Sequence, residues 1–105
     1  MTNSKQIATT ILNQLGANKF VAMTGAKEFS VLKNGLRFRL PARFAKKGIN
    51  LVLIELNGLD LYNLRFYKNR GAKLDLIQSE ENIYADTLQA VFKETTDLDT
   101  SLEII

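Results

Sequence analysis

The dipeptide Asn34-Gly35 constrains the fold of this chain more than any other feature of its sequence. It separates two runs in which apolar and polar residues alternate, and this combination is typical of a tight β-hairpin. A two-residue loop at Asn34-Gly35 predicts that Val31 lies opposite Phe38. The hairpin then has an apolar face and a mixed face that includes two arginines. The apolar face carries Phe29, Val31, Leu36, Phe38 and Leu40. The mixed face carries Ser30, Leu32, Arg37 and Arg39.

A second hairpin is predicted where Asn57-Gly58 separates two strongly apolar runs, 49–56 and 61–68. A four-residue loop, which places Leu53 opposite Leu64, is preferred because a two-residue loop brings two carboxylates face to face. One face of this hairpin then carries only apolar and aromatic residues, and the other is mixed. The apolar and aromatic face carries Leu51, Leu53, Tyr62, Leu64 and Phe66. The mixed face carries Val52, Ile54, Leu56, Leu61, Asn63, Arg65 and Tyr67.

A helix is predicted over residues 4–15, where apolar residues recur at helical spacing. Asn3 or Ser4 suits the N-terminal cap, and Gly16 suits a left-handed C-terminal cap. A stripe this short is not stable alone, so we expect the helix to dock on the rest of the chain. The stripe consists of Ile7, Ile11, Leu12 and Leu15.

The remaining elements are predicted from shorter signals. Residues 19–24 and 74–77 are β-prone, and each predicts a short strand. A second helix is expected to begin at Ser79, because its hydroxyl can cap a first turn that also contains the acidic pair Glu80-Glu81. This helix is expected to end near Thr96.

These elements predict an α+β fold with an N-terminal helix, a four- to five-stranded antiparallel sheet of hairpins and a C-terminal helix. At 105 residues the chain has room for one domain, which we assign to residues 1–105. Both faces of the second hairpin carry apolar residues. Either the two helices cover opposite faces, or a helix pair covers one face and a second copy of the chain covers part of the other. The second alternative predicts a homodimer through Val52, Ile54 and Leu56.

The chain contains no cysteine and no histidine, and this restricts its chemistry. Zinc sites, thiolate chemistry and histidine-activated nucleophiles are excluded, and a reducing compartment fits. No phosphate-loop or dinucleotide-binding glycine pattern occurs. We therefore predict a non-enzymatic protein with no cofactor and no metal. The longest apolar run, 51–54, is far too short for a membrane span, and no signal peptide is recognisable, so a cytoplasmic protein is expected.

Charge is divided unevenly along the chain. Residues 1–78 hold thirteen Lys or Arg and four acids, whereas residues 79–105 hold one Lys and seven acids. Such a division suggests a basic surface that binds an anionic partner. The alternative is that an acidic helix complements a basic sheet and that both are simply solvated surfaces.

Four of the bases and aromatics fall in pairs with strand spacing. Residues two apart in a strand share a face, so Arg37 lies beside Arg39 and Arg65 lies beside Tyr67. Adjacent hairpins would join them into one basic stripe with Tyr67 as a stacking platform, a pattern typical of DNA or RNA binding. The alternative is that these are exposed strand residues that provide solubility and prevent edge pairing. The predicted nucleic-acid-binding residues are Arg37, Arg39, Arg43, Lys46, Lys47, Arg65, Tyr67, Lys68, Arg70 and Lys73.

The segments Ile11–Gly16, Phe20–Lys27, Asn34–Pro41 and Tyr84–Phe92 resemble a family of small uncharacterised proteins of phages and other mobile elements. The resemblance covers nearly the whole chain and implies no particular activity. It implies a setting, that of an accessory protein in a cell that carries foreign DNA. The acidic C-terminal segment suggests an alternative function, an interaction or inhibitor module that binds a host or phage protein through the acidic C-terminal helix and tail.

Overall fold

The computed structural model describes residues 3–41 and 44–98, and it confirms the α+β fold. Each strand of the five-stranded antiparallel sheet pairs with the next along the chain, in the order β1-β2-β3-β4-β5. The helices are α1 (Ser4–Leu15), α2 (Ala17–Thr24) and α3 (Leu88–Thr96), and 3₁₀ turns lie at Lys46–Gly48 and Ala85–Thr87. The strands are β1 (Lys27–Leu32), β2 (Gly35–Arg39), β3 (Leu51–Leu56), β4 (Tyr62–Arg70) and β5 (Lys73–Ile83).

Helix α1 has the predicted bounds because its caps and its apolar stripe agree. The Asn3 side chain accepts a hydrogen bond from the backbone N–H of Lys5 at 2.8 Å, and the Gln6 side chain accepts from the N–H of Asn3 at 3.4 Å. The Asn3 side chain also accepts from the backbone N–H of Gln6, and this contact and the Gln6 side-chain contact together form a capping box. At the other end Gly16 adopts a φ of 126°, a conformation that glycine adopts without steric cost.

The prediction of a strand over residues 19–24 is wrong, because this segment belongs to helix α2. Phe20 and Thr24 lie four residues apart on one helical face, and both are buried. Thr24 donates its hydroxyl hydrogen bond to the Phe20 carbonyl at 2.7 Å and accepts one from the Ala26 N–H at 3.1 Å. Gly25, with a φ of 72°, ends the helix. Burial of Phe20 therefore outweighs the local β-propensity.

The three helices of the described ranges share one hydrophobic core with a single face of the sheet. Phe20 of α2 packs edge-on against Phe38 of β2 and Phe92 of α3, with ring centroids 5.4 Å and 5.2 Å apart. Phe92 also contacts Phe66 of β4. Of the two alternatives, the one in which the helices cover opposite faces is therefore wrong, and the other face carries no helix from the described ranges.

The first hairpin has the predicted faces but a different turn. Its two-residue loop is Lys33-Asn34, and Val31 pairs with Leu36 instead of Phe38. The partners have moved by two residues, an even number, so every side chain keeps its face. Gly35 belongs to β2, where an added Cβ would clash with the Ile54 carbonyl of β3. The glycine therefore permits close strand approach and is not part of the loop.

The pairing register of the second hairpin differs from the prediction by one residue. Each β3 side chain therefore shares a face with the β4 side chains that were predicted to lie on the opposite face. Leu56 pairs with Tyr62, and Leu53 pairs with Arg65. The cause is Asn57, whose side-chain oxygen accepts from the backbone N–H of Leu59 at 2.8 Å and of Leu61 at 3.2 Å. These contacts hold a three-residue turn that ends with a residue of positive φ, a recurrent hairpin connection.

This exchange overturns the predicted dimer patch. Val52 and Ile54 are fully buried under the protein's own helices, so they are not available to a second copy. Leu51 and Leu53 lie on the opposite face instead. Homodimerisation itself stays a prediction.

Strand β5 is much longer than the predicted 74–77 segment, and it includes the supposed start of the second helix. Ser79 pairs with Arg65, and Glu80 pairs with Leu64. The long β4 strand provides ladder partners along this segment, and that long-range pairing replaces local capping. Helix α3 begins only at Leu88 and ends at Thr96 as predicted.

Candidate nucleic-acid interface

The face of the sheet opposite the helices, here called the open face, carries the predicted arginines. Strand register aligns them in two rows across β2, β3 and β4. The first row is Arg37, Leu53 and Arg65, and the second is Arg39, Leu51 and Tyr67. Neighbouring strands lie about 4.8 Å apart, so the backbones of Arg37 and Arg65 are separated by about 10 Å. The structure therefore brings together the two pairs that strand spacing predicted separately.

Two of these arginines form ion pairs with acids from neighbouring strands. Arg39 Nε lies 3.2 Å from Glu28 Oε2, and Arg65 Nη1 lies 3.6 Å from Glu55 Oε1. All four side chains are more than a third exposed, so each ion pair is weak and easily exchanged. Arg37 instead donates a hydrogen bond to the Ser30 hydroxyl at 3.2 Å. The arginines are thus oriented on the surface but remain accessible to an external anion.

Asn69 is the polar centre at one end of this face. Its backbone N–H donates to Asn50 Oδ1 at 2.7 Å, and its carbonyl accepts from Asn50 Nδ2 at 2.8 Å. Its side-chain oxygen accepts from Arg39 Nη1 at 3.0 Å. Its Nδ2 donates to the carbonyls of Gly71 and Lys73 at 3.3 and 3.0 Å. Asn69 therefore positions Arg39 and stabilises the β4–β5 turn, a role that no local sequence signal revealed.

The remaining predicted bases are separated from the open face. Lys68 and Arg70 alternate with Tyr67 and Asn69 along β4, so their side chains leave the strand on the face opposite to the open face. The Lys68 side chain lies over Gly48, beside the 3₁₀ turn that contains Lys46 and Lys47. Lys73 pairs with Arg70 at the β4–β5 turn. These five bases lie at the same end of the sheet as Arg39, and Arg43 lies outside the described residues.

The centre of the open face is apolar, which sequence reasoning missed because of the exchanged hairpin faces. We call this group of five side chains the apolar floor: Leu51, Leu53, Tyr67, Leu74 and Leu76. Leu51 is buried beneath its neighbours, whereas Leu74 and Leu76 are 53% and 55% exposed. The arginines border this floor, so the open face combines cations with an apolar surface that no described helix covers.

A shallow cavity lies away from the open face, between α1 and the ends of β3 and β4. Its polar lining is amides, hydroxyls and one lysine, with no carboxylate among the lining residues. Burial raises the pKa of the Tyr62 hydroxyl, and the Gln14 side chain has a smaller, opposite effect. The lining residues are Asn3, Lys5, Gln6, Ile7, Thr9, Thr10, Leu56 and Tyr62.

The acidic segment is placed differently from its prediction. Glu80 and Glu81 are in β5, and of the predicted acidic helix α3 retains Glu94, while Asp97 caps its C-terminus. Residues 99–105 of the tail lie outside the described residues. The interaction or inhibitor module therefore stays a prediction.

Comparison with protein-family models, curated proteins and solved structures finds no match to this chain. Within residues 3–41 and 44–98, no helix is long and apolar enough to cross a membrane. The same residues contain no group of three or more acids placed to hold a metal ion. A functional assignment therefore depends on the geometry and charge of the open face.

Proposed function

We propose that this protein binds nucleic acid through the open face of its sheet. The observation that carries the proposal is the presence of Arg37, Arg39, Arg65 and Tyr67 on one face that no described helix covers. Arginine suits phosphate because its planar guanidinium donates two parallel hydrogen bonds. Tyr67 adds an aromatic ring beside these cations.

The charge balance around this face favours an anionic ligand with modest affinity. The five strands together carry seven bases and five acids. The bases are Lys27, Arg37, Arg39, Arg65, Lys68, Arg70 and Lys73, and the acids are Glu28, Glu55, Asp75, Glu80 and Glu81. Binding that depends on such an excess weakens steeply as salt rises, because phosphate contacts release condensed counterions.

The proposal is tested by fluorescence anisotropy with labelled DNA and RNA at low salt. Arg37→Glu with Arg39→Glu is expected to abolish binding. Lys5→Glu with Lys19→Glu is the matched control, because it changes the net charge equally on exposed positions of α1 and α2. Loss of binding in the first variant and retention in the control support the proposal.

Arg39 also donates a hydrogen bond to Asn69, which stabilises the β4–β5 turn. A single variant that leaves this contact intact is therefore measured beside the double variant. Arg37→Ala removes one exposed cation and its hydrogen bond to the Ser30 hydroxyl, and thermal melting is expected to be close to that of the native protein. It should still weaken binding. Wild-type protein that binds neither DNA nor RNA at low salt, or equal losses in the open-face and control variants, would overturn the proposal.

A further inference from the structure

We infer that the ligand of the open face is a single-stranded nucleic acid whose unpaired bases lie on the apolar floor. This inference rests on the proposed function and specifies its ligand. A basic patch alone would suit any phosphate backbone, paired or unpaired. The apolar floor distinguishes the two, because only unpaired bases present their flat apolar faces to a protein.

The floor is continuous across three strands. Leu51 pairs with Tyr67, and Tyr67 pairs with Leu76. Leu53 lies two residues from Leu51 on the same face of β3, and Leu74 extends the floor along β5. Leu74 and Leu76 are both more than half exposed and lie at neighbouring positions on this face. An exposed apolar patch of this kind is typical of an interaction site.

The cations lie at the borders of this floor and not at its centre. Arg39 pairs with Leu51, so it stands beside the Leu51–Tyr67 row and is held there by Asn69. Arg37 and Arg65 flank Leu53 from both sides. A single strand laid across the sheet can therefore place its bases on the floor and its phosphates against the arginines. A duplex would bury the same leucines against its charged backbone.

Tyr67 and Leu76 contribute differently to this arrangement. The Tyr67 ring is half-buried between Leu51 and Leu76, so it provides a firm stacking surface. Leu76 is mostly exposed, and its substitution should leave the fold intact. The pair thus allows one variant that tests aromatic stacking and another that tests apolar contact with little risk to folding.

The experiment measures anisotropy of labelled oligonucleotides of about fifteen nucleotides, a length that matches the site size of small single-strand-binding domains. Oligo(dT), oligo(U) and a DNA duplex of equal length are compared at low salt. We expect single strands to bind at least about tenfold more tightly than the duplex, and the DNA and RNA arms to show which sugar is preferred.

Leu76→Ser is expected to weaken single-strand binding about three- to tenfold, and Tyr67→Leu about fivefold or more. Val31→Ser is the matched control, because Val31 is 54% exposed but lies at the β1 edge on the other face. Its affinity should be that of the wild type. Thermal melts of all three variants show whether any loss comes from unfolding.

The outcomes separate this inference from the proposed function. Absence of all nucleic-acid binding overturns both. Salt-dependent binding that requires Arg37 and Arg39 but is equal for duplex and single strand, or unaffected by Leu76→Ser, overturns only the single-strand inference. A concentration-dependent dimer in sedimentation that Leu76→Ser dissociates also overturns it, because a second copy would then cover the floor.

Discussion

Removing the acid that pairs with Arg65 should strengthen nucleic-acid binding, a result opposite to that of most surface substitutions. In the free protein Glu55 Oε1 lies 3.6 Å from Arg65 Nη1, where it competes with an incoming phosphate. Glu55→Gln keeps the size of the side chain and removes its charge. The pair is 40–48% exposed, so its energy falls in the range for surface pairs, about 0.2–1 kcal/mol. That energy corresponds to an affinity gain of about 1.4- to 5-fold.

The assay is anisotropy with a labelled single strand, measured at several salt concentrations. The gain should be largest at low salt and shrink as screening increases, because the Debye length is about 10 Å at 0.1 M. Glu94→Gln is the matched control, since it makes the same chemical change at an exposed position of α3 on the helical side. If Glu55→Gln binds no more tightly than Glu94→Gln, Glu55 does not compete for this site and the placement of the ligand is wrong.

Three further predictions concern the fold. Phe92→Ala should lower the free energy of unfolding by about 3–5 kcal/mol in urea titration, because it empties the centre of the aromatic cluster; a loss below about 1 kcal/mol would contradict this packing. Gly35→Ala should cost about 1–3 kcal/mol in the same assay, because the new Cβ meets the Ile54 carbonyl; an unchanged midpoint would mean that the strands are not so close. The raised pKa of Tyr62 means that the folded state disfavours its phenolate. The contribution of the neutral Tyr62 hydroxyl to the free energy of unfolding is therefore complete below the unfolded pKa of about 10, and it is lost as the pH rises through the folded pKa. Tyr62→Phe should therefore lose less stability than the wild type between about pH 9 and pH 11; equal losses would show that Tyr62 is not the group responsible.

Local signals predicted the parts of the fold that depend on local contacts. Helix α1 was predicted to the residue, because Asn3, Gly16 and the apolar stripe all act within a few positions of one another. Helix α2 was missed because its formation depends on Phe20 reaching β2 and α3. The length of β5 was missed for the same reason, since its partners lie in β4.

The candidate site shows how one residue of register changes a functional prediction. Arg37 and Arg39 were placed together because strand periodicity needs no knowledge of partners. The apolar floor was not predicted, because the side chain of Asn57 selects a turn that moves Leu53 from the predicted face of Leu64 to the face of Arg65. Asn69 was not predicted either, because its contacts with Asn50 and Arg39 join distant parts of the chain.

The salt dependence of binding shows whether phosphate groups contact the arginines of the open face. If the three arginines of the open face each neutralise one phosphate of a single strand, a plot of log affinity against log salt should have a slope of about −2. Arg37→Ala should make that slope shallower by about 0.7, whereas Lys19→Ala should leave it unchanged. A flat plot, or the same slope for wild type and Arg37→Ala, would contradict nucleic-acid binding through this face.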